Sequence, residues 1–179
     1  MLICLERICD YGGWMLGRVG IFAPNRPMSV PQSSLWHCPQ PARFDEFMRI
    51  SNTFNHTPPS GKFTNIALRE KRPVWVSDFS AAHGFGRLAS AGKHGIRSGF
   101  VFPVVVGGEA LAFLEVFSDE VREPDALFLE AIDTINSQLA RLIGFEHHYI
   151  EEERGRLELE SIRKLDELFG PPPGGAKRG

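Results

Sequence analysis

The residues of this chain that could do chemistry are few and scattered. Cys4, Cys9 and Cys38 are odd in number, show no C-x-x-C spacing and have no nearby paired histidine. That pattern argues against a disulfide framework or a zinc site, and for small apolar residues inside a core. "HGFGRL" contains a Gly-x-Gly, but without a third glycine or a preceding strand it is no dinucleotide fingerprint. No nucleophile with a base, carboxylate pair or metal cluster converges by spacing, so the chain is not expected to be an enzyme. Arg97 and Glu115 are more informative, because both are charged residues embedded in the apolar stretch "HGIRSGFVFPVVVGGEALAFLEVFS". A guanidinium at Arg97 would pair with an acidic ligand, clamp a loop to a carboxylate, or tie down loop carbonyls. Glu115 either lies in water at the end of a sheet, or pairs with Arg97 or with a ligand.

The stretch that carries these two residues reads as a β-hairpin. Gly107 and Gly108 supply the positive φ angles of a two-residue turn. Extrapolated regularly from that turn, Val106 faces Glu109, Val104 faces Leu111, Phe102 faces Phe113 and Phe100 faces Glu115. Gly99, Ala110 and Ala112 then share the other face. Both faces are apolar, so the hairpin is expected in the interior of a sheet covered on both sides. The small row would let helices approach and the bulky row of Phe100, Phe102 and Phe113 would floor a cavity. Pro103 lacks a ladder donor and predicts a local irregularity.

The rest of the chain must supply the covers. Its 179 residues are 42% hydrophobic and 23% charged with a net charge of −2, the profile of one globular domain that needs no disulfide or metal. There is no basic stripe, which argues against nucleic acid as a partner. No apolar run reaches the roughly 18 residues of a membrane span and no signal peptide opens the chain, so the expected location is cytoplasmic. A helix begins at Leu2 and breaks at Gly12 and Gly13; "MLGRVGIFAP" and "SSLWHCP" read as strands. "ARFDEFMRISNTF" is an amphipathic helix, Ser60 caps a helix over "GKFTNIALREKR", and "PVWVSDF" is a third strand. A glycine-rich connection with a turn or two of helix leads to the hairpin. From Pro124, expected at a first helical position, one long helix carries Phe128, Ile132, Ile135, Leu139 and Leu142 at four-three spacing. Beyond it the helix is charged, and is either solvated or paired with another helix. The tail "GPPPGGAKRG" is expected to be disordered.

This order of elements resembles a GAF domain, a small-molecule-sensing module of bacterial signalling proteins. The most specific part is "GKFTNIALREKRPVWVSD" followed by "AGKHGIRSGFVFPVVVGGEALAFLEVFS", which looks like the family's Pro-Val strand, Gly-Ile-Arg-Ser segment and Pro-Val hairpin. The resemblance implies an α+β fold. A central antiparallel sheet would carry the first and last helices on one face and a ligand pocket on the other. It divides the chain into a domain at 1–145, a signalling or coiled-coil helix at 146–169 and a tail at 170–179. It places Trp36, Trp75, Phe79, His83, Phe85, Arg97, Phe100, Phe102 and Phe113 around the pocket. His37, His83 and His94 raise haem ligation, known in some members, although a loop histidine is more often exposed. The segment 80–99 lacks the cysteine of bilin-binding members, and the cyclic-nucleotide signature is absent. Only Cys38 approaches where the methionine sulfoxide reductases of this fold need several cysteines. The implied role is a regulatory module with an unidentified small-molecule ligand and no assigned cofactor, forming a homodimer through the terminal helix. A histidine kinase or diguanylate cyclase would be the usual output, and none lies in this sequence. Dimerisation alone and catalysis in the pocket are the alternatives.

Overall fold

The computed structural model describes residues 1–22, 31, 33–53, 62–81 and 87–169. Helix α1 (Leu2–Gly12) stops at Gly13, whose φ of 62° lets the chain turn left-handed. The N–H groups of Gly13 and Trp14 donate back to Asp10 and Cys9 carbonyls and so satisfy the helix end. Strands β1 (Leu16–Ile21) and β2 (Ser33–His37) follow, then helices α2 (Pro41–Thr53) and α3 (Lys62–Glu70). The short strand β3 (Val74–Val76) and helix α4 (Leu88–Lys93) precede the hairpin of β4 (Ser98–Val106) and β5 (Glu109–Ser118). Helix α5 (Ala126–Phe169) ends the described chain.

The strands form one antiparallel sheet in the order β2-β1-β5-β4-β3, so both hairpin strands are interior. The fold is α+β. Each face is covered because each face is apolar. On one side α1 presses Leu5 and Cys9 onto Gly17, where an added Cβ would lie 2.7 Å from the Cys9 sulfur. The start of α5 joins it there: Phe128 packs on Trp14, Trp75 and Phe100 with ring centroids 5.7–6.1 Å apart. Arg122 locks this corner by donating to the Gly12 carbonyl at 2.7 Å and lying 4.4 Å over the Trp14 ring. On the other side α2, α3 and α4 contribute Phe44, Phe47, Phe63, Ala67 and Ala91 to a core that includes Phe79, Phe113 and Phe117. Burying each such phenylalanine stabilises the fold by about 1.5–3 kcal/mol.

The turn forms as the sequence indicates, with Gly107 and Gly108 at φ 58° and 85° and Val106 opposite Glu109. The extrapolated register does not continue. Val105 pairs with Ala110 but Val104 pairs with Ala112, so Leu111 is an extra residue and a bulge shifts all later pairs by one. Phe102 therefore lies opposite Leu114, Phe100 opposite Val116, and Phe113 opposite Pro103. The irregularity expected at Pro103 falls one residue further on. Strand β3 runs only alongside Gly99–Val101, which leaves room at Pro103 for a residue without an N–H.

Two other expectations are corrected. Pro124 precedes α5 rather than opening it: the Asp125 carboxylate accepts from the N–H groups of Leu127 and Phe128 at 2.9 and 3.1 Å and caps the helix. Of the expected seam, Ile132 and Leu139 are buried, whereas Leu142 is 49% exposed. The chain divides into a compact unit, Met1–Leu142, and a second unit beginning at Ile143. Ser60, expected to cap α3, and the tail at 170–179 lie outside the described residues. No helix among the described residues is long and apolar enough to cross a membrane.

Candidate functional site

Strand β1 is apolar apart from Arg18, which the alternation of the strand turns toward α2, α3 and α4. In the sheet Arg18 lies between Trp36 of β2 and Glu115 of β5, its direct cross-strand partners. Both Arg18 and Glu115 are fully buried, and Arg18 Nη1 donates to Glu115 Oε1 at 3.1 Å. Arg18 also donates to Ser34 Oγ from Nη2 at 3.0 Å and from Nε at 3.3 Å. A second buried arginine comes from the opposite layer. Arg87, the residue before α4, grips Glu115 with a two-pronged fork, Nη1 to Oε1 and Nη2 to Oε2, each 2.8 Å. Its Nη1 also donates to Ser51 Oγ of α2 at 2.8 Å, and Thr64 of α3 donates its hydroxyl to Glu115 Oε2 at 2.9 Å. Glu115 thus ties the sheet to all three covering helices.

Aromatic rings surround this polar knot. The Arg18 guanidinium lies 5.5 Å from the Trp36 ring centroid and 5.3 Å from that of Phe113. Arg87 lies 5.4 and 5.5 Å from Phe47 and Phe117. Such faces attract a cation. Burial pulls the Arg18 guanidinium below its ordinary value; Glu115 opposes that shift and the Arg87 charge adds to it. An arginine nevertheless stays protonated at neutral pH, so among the described residues two guanidiniums share the Glu115 carboxylate in the core. Taking three charges out of water costs several kcal/mol per ion, which the hydrogen bonds offset only in good geometry. A purely apolar core would avoid that cost. The hydrogen bonds of the knot tie the sheet to α2, α3 and α4.

The residues expected around a pocket divide between the two faces. Trp36, Phe79 and Phe113 do lie on the side of the knot, with Phe113 and Phe79 in its core and Trp36 packed against it. Trp75, Phe100 and Phe102 do not: Trp75 and Phe100 stack on Phe128 of α5, and Phe102 stacks on Phe100. The bulge at Leu111 is the reason, since it moves Phe113 to the face opposite Phe100 and Phe102. Trp75 and Phe100 line an open groove of about 440 Å³ on that far face instead. Arg97 is a surface residue paired with Asp78 at 3.0 Å. Its backbone accepts from Phe79 N–H at 2.6 Å and donates to Ser118, so it fastens the segment after β3. The Asp78 carboxyl is pulled down to about 2 by hydrogen bonds from Ser80 and Arg97. His83 and Phe85 lie outside the described residues.

His94 packs 6.4 Å from Phe44 and 3.6 Å from a Glu46 oxygen, and no three His, Cys, Asp or Glu side chains among the described residues are placed to hold a metal together. The cysteines are free and separated. Cys9 is buried on the α1 side, where burial and then Asp10 push its thiol up to about 12, while half-buried Cys38 belongs with the core of the other face. Half-buried Cys4 departs from the fully buried position expected of it.

Sequence reasoning singled out Glu115 but missed both of its arginines, Arg18 and Arg87, and the hydroxyls Ser51 and Thr64. A signal for Arg18 exists. It is the lone charge in "MLGRVGIF", a strand with apolar residues on both faces, and a lone charge there needs an opposite charge on a neighbouring strand.

One five-stranded antiparallel sheet with helices on both faces and a polar knot beneath three of them defines a small α+β domain. The GAF domain family model matches residues 1–144, and the chain belongs to that family, whose members are sensory and regulatory modules of bacterial signalling proteins. No curated protein matches it. Among solved structures it is similar to the GAF domain region of a putative membrane protein from Geobacter sulfurreducens PCA, with 19% identity and a TM-score of 0.64 over 81% of this chain and 91% of that one. It is similar to a domain of a putative two-component sensor histidine kinase from Sinorhizobium meliloti 1021, with 17% identity and a TM-score of 0.59 over 86% and 92%. A free methionine-R-sulfoxide reductase from Neisseria meningitidis, an enzyme, shares the fold at 15% identity and a TM-score of 0.56 over 78% and 75%.

Proposed function

We propose that this chain is a non-catalytic sensory module that binds a small molecule between the sheet and the layer of α2, α3 and α4, and relays the change through α5. The observation that carries this is the Arg18–Glu115–Arg87 knot. It is a cluster of fully buried charges, unneeded for a stable core, that ties the sheet to α2, α3 and α4 together. A ligand that reorganises those ties would shift helices against the sheet by its different affinity for the two arrangements. The domain proper corresponds to residues 1–145 and the remainder of α5 to the output. Cytoplasmic signalling through a kinase or cyclase outside this sequence is the matching context.

A reductase-like activity is disfavoured by the cysteines. Cys9 and Cys38 belong to opposite faces of the sheet, so they cannot act together at one pocket. Thermal melting of the full chain against a broad panel of metabolites tests the sensory role, because a ligand of the folded state raises the melting temperature by mass action. At least one compound should do so saturably without being turned over. Turnover would make the chain an enzyme. A flat panel in a chain that dimerises would favour a second reading, a GAF fold used only for association, which the exposed apolar residues Phe145, Tyr149, Leu157 and Leu159 of α5 support.

A further inference from the structure

The open groove on the α5 side of the sheet is a site that the sensory reading above does not use. Its volume of about 440 Å³ falls in the range of small-molecule sites, and its walls all belong to residues 71–136. Trp75 of β3 and Phe100 of β4 line it, and the turn between α3 and β3 adds Lys71 and Arg72. Helix α5 contributes Leu129, Ile132, Asp133 and Asn136, which share one helical face at spacings of three and four.

Three features polarise this groove. The side-chain oxygen of Asn136 is buried and has no hydrogen-bond donor among the described residues, although buried acceptors are nearly always paired. Lys71 and Asp133 line the groove from different elements and form no ion pair among the described residues, whereas Arg72 is already held by Glu70. Lys71 also takes a φ of 53°, the one positive φ among the described residues other than glycine. Glycine would adopt that conformation with less strain, so the turn alone does not account for a lysine there.

We propose that the groove binds an α-amino acid with an apolar side chain, at a site separate from the one between the sheet and α2, α3 and α4. The Lys71 ammonium pairs with the carboxylate of the amino acid, and the Asp133 carboxylate and Asn136 oxygen accept from its ammonium. Its side chain covers Trp75, Phe100 and Leu129. Both charges are needed. An anion alone leaves Asp133 and Asn136 without a donor, and a cation alone leaves Lys71 unpaired. Because Lys71 precedes β3 while Asp133 and Asn136 belong to α5, the bound amino acid fastens the start of α5 to the α3–β3 turn.

The test is calorimetric titration and thermal melting of the full chain with L-leucine, L-methionine and L-phenylalanine. The controls are 3-methylbutylamine, which lacks the carboxylate of leucine, 4-methylpentanoate, which lacks its ammonium, and glycine, which lacks the apolar body. Saturable binding of at least one of the three amino acids is expected, with every control weaker by about tenfold or more. Lys71→Gly relieves the positive φ, so the free variant should melt at the wild-type temperature or above while binding weakens about tenfold or more. Asp133→Asn, at an exposed position, should weaken binding likewise and carries the test if Lys71→Gly proves less stable. No saturable heat and no rise in melting temperature with any of the three at millimolar concentration overturns the proposal, as does a control that binds equally well. Binding that survives Asp133→Asn, or a stable Lys71→Gly, overturns it too. That last result would put the amino acid elsewhere and leave the sensory reading standing.

Discussion

Glu115 is the residue on which most of the buried chemistry converges, and its removal is asymmetric with its presence. The intact knot contributes little net stability because desolvation offsets its hydrogen bonds, but removing the carboxylate leaves two guanidiniums buried without their counter-charge. Glu115→Gln should therefore lower the unfolding free energy by about 3–5 kcal/mol, measured by urea denaturation. A loss below about 1 kcal/mol, the scale of a surface pair, would mean that water reaches the cluster freely. The surface pair of Arg97 and Asp78 behaves differently. Because the folded Asp78 carboxyl titrates near 2 against an ordinary 3.8, its stabilisation is present above that ordinary value and is lost as pH falls through about 2. Wild type and Asp78→Asn should differ in stability at pH 6 and converge toward pH 2. A gap that persists in strong acid would assign the effect to something other than the charge. Being exposed, this pair should matter far less than Glu115 at neutral pH.

Elements were legible in the sequence to a degree that phase was not. Helix α1 with its glycine stop, the three-strand-and-hairpin order, α2, and the long α5 all follow from apolar period and turn residues, and they appear where those signals put them. The hairpin shows the limit. A strand with one wet face announces its register, because a slip by one residue would expose its apolar side; β4 and β5 are apolar on both faces, so nothing in their pattern marks Leu111 as extra. Without that extra residue the sequence reading misplaced Phe100 and Phe102 and paired Glu115 with Phe100, whereas Glu115 lies opposite Val101 and beside Arg18. Arg87 was hidden for another reason, since it enters the site from outside the sheet, from a stretch with no periodicity. The corrected phase has a consequence that can be measured at Gly20. A Cβ there would come within 2.3 Å of the Phe113 ring, which is fully buried. Gly20→Ala should cost about 1–3 kcal/mol through overpacking. A neutral substitution would place Phe113 on the other face and restore the unbulged register.

At the scale of the whole molecule, the proposed relay would leave the domain through α5. Its first turns are spent on the sheet, through Phe128, Ile132 and Leu139. Ile143 is still buried, but Leu142 is 49% exposed, Phe145 75% and Tyr149 66%. Their three-four spacing forms an apolar strip shifted by one residue, at Phe145, from the Phe128–Leu142 seam, whose own next position is Glu146, and such a strip can seat a second helix. Two or three turns of such a seam are marginal in isolation, so association should be weak and depend on concentration. Leu2, Ile3 and Tyr11 of α1 are also exposed and would add contact area. Sedimentation of the full chain should therefore show a monomer–dimer equilibrium in the micromolar range, and a chain ending at Gly144 should sediment as a monomer. Phe145→Glu in the full chain should have the same effect as the truncation without shortening the helix. If the full chain remains monomeric at high micromolar concentration, α5 does not pair with a copy of itself, and the proposed relay would need a different protein on the same exposed residues.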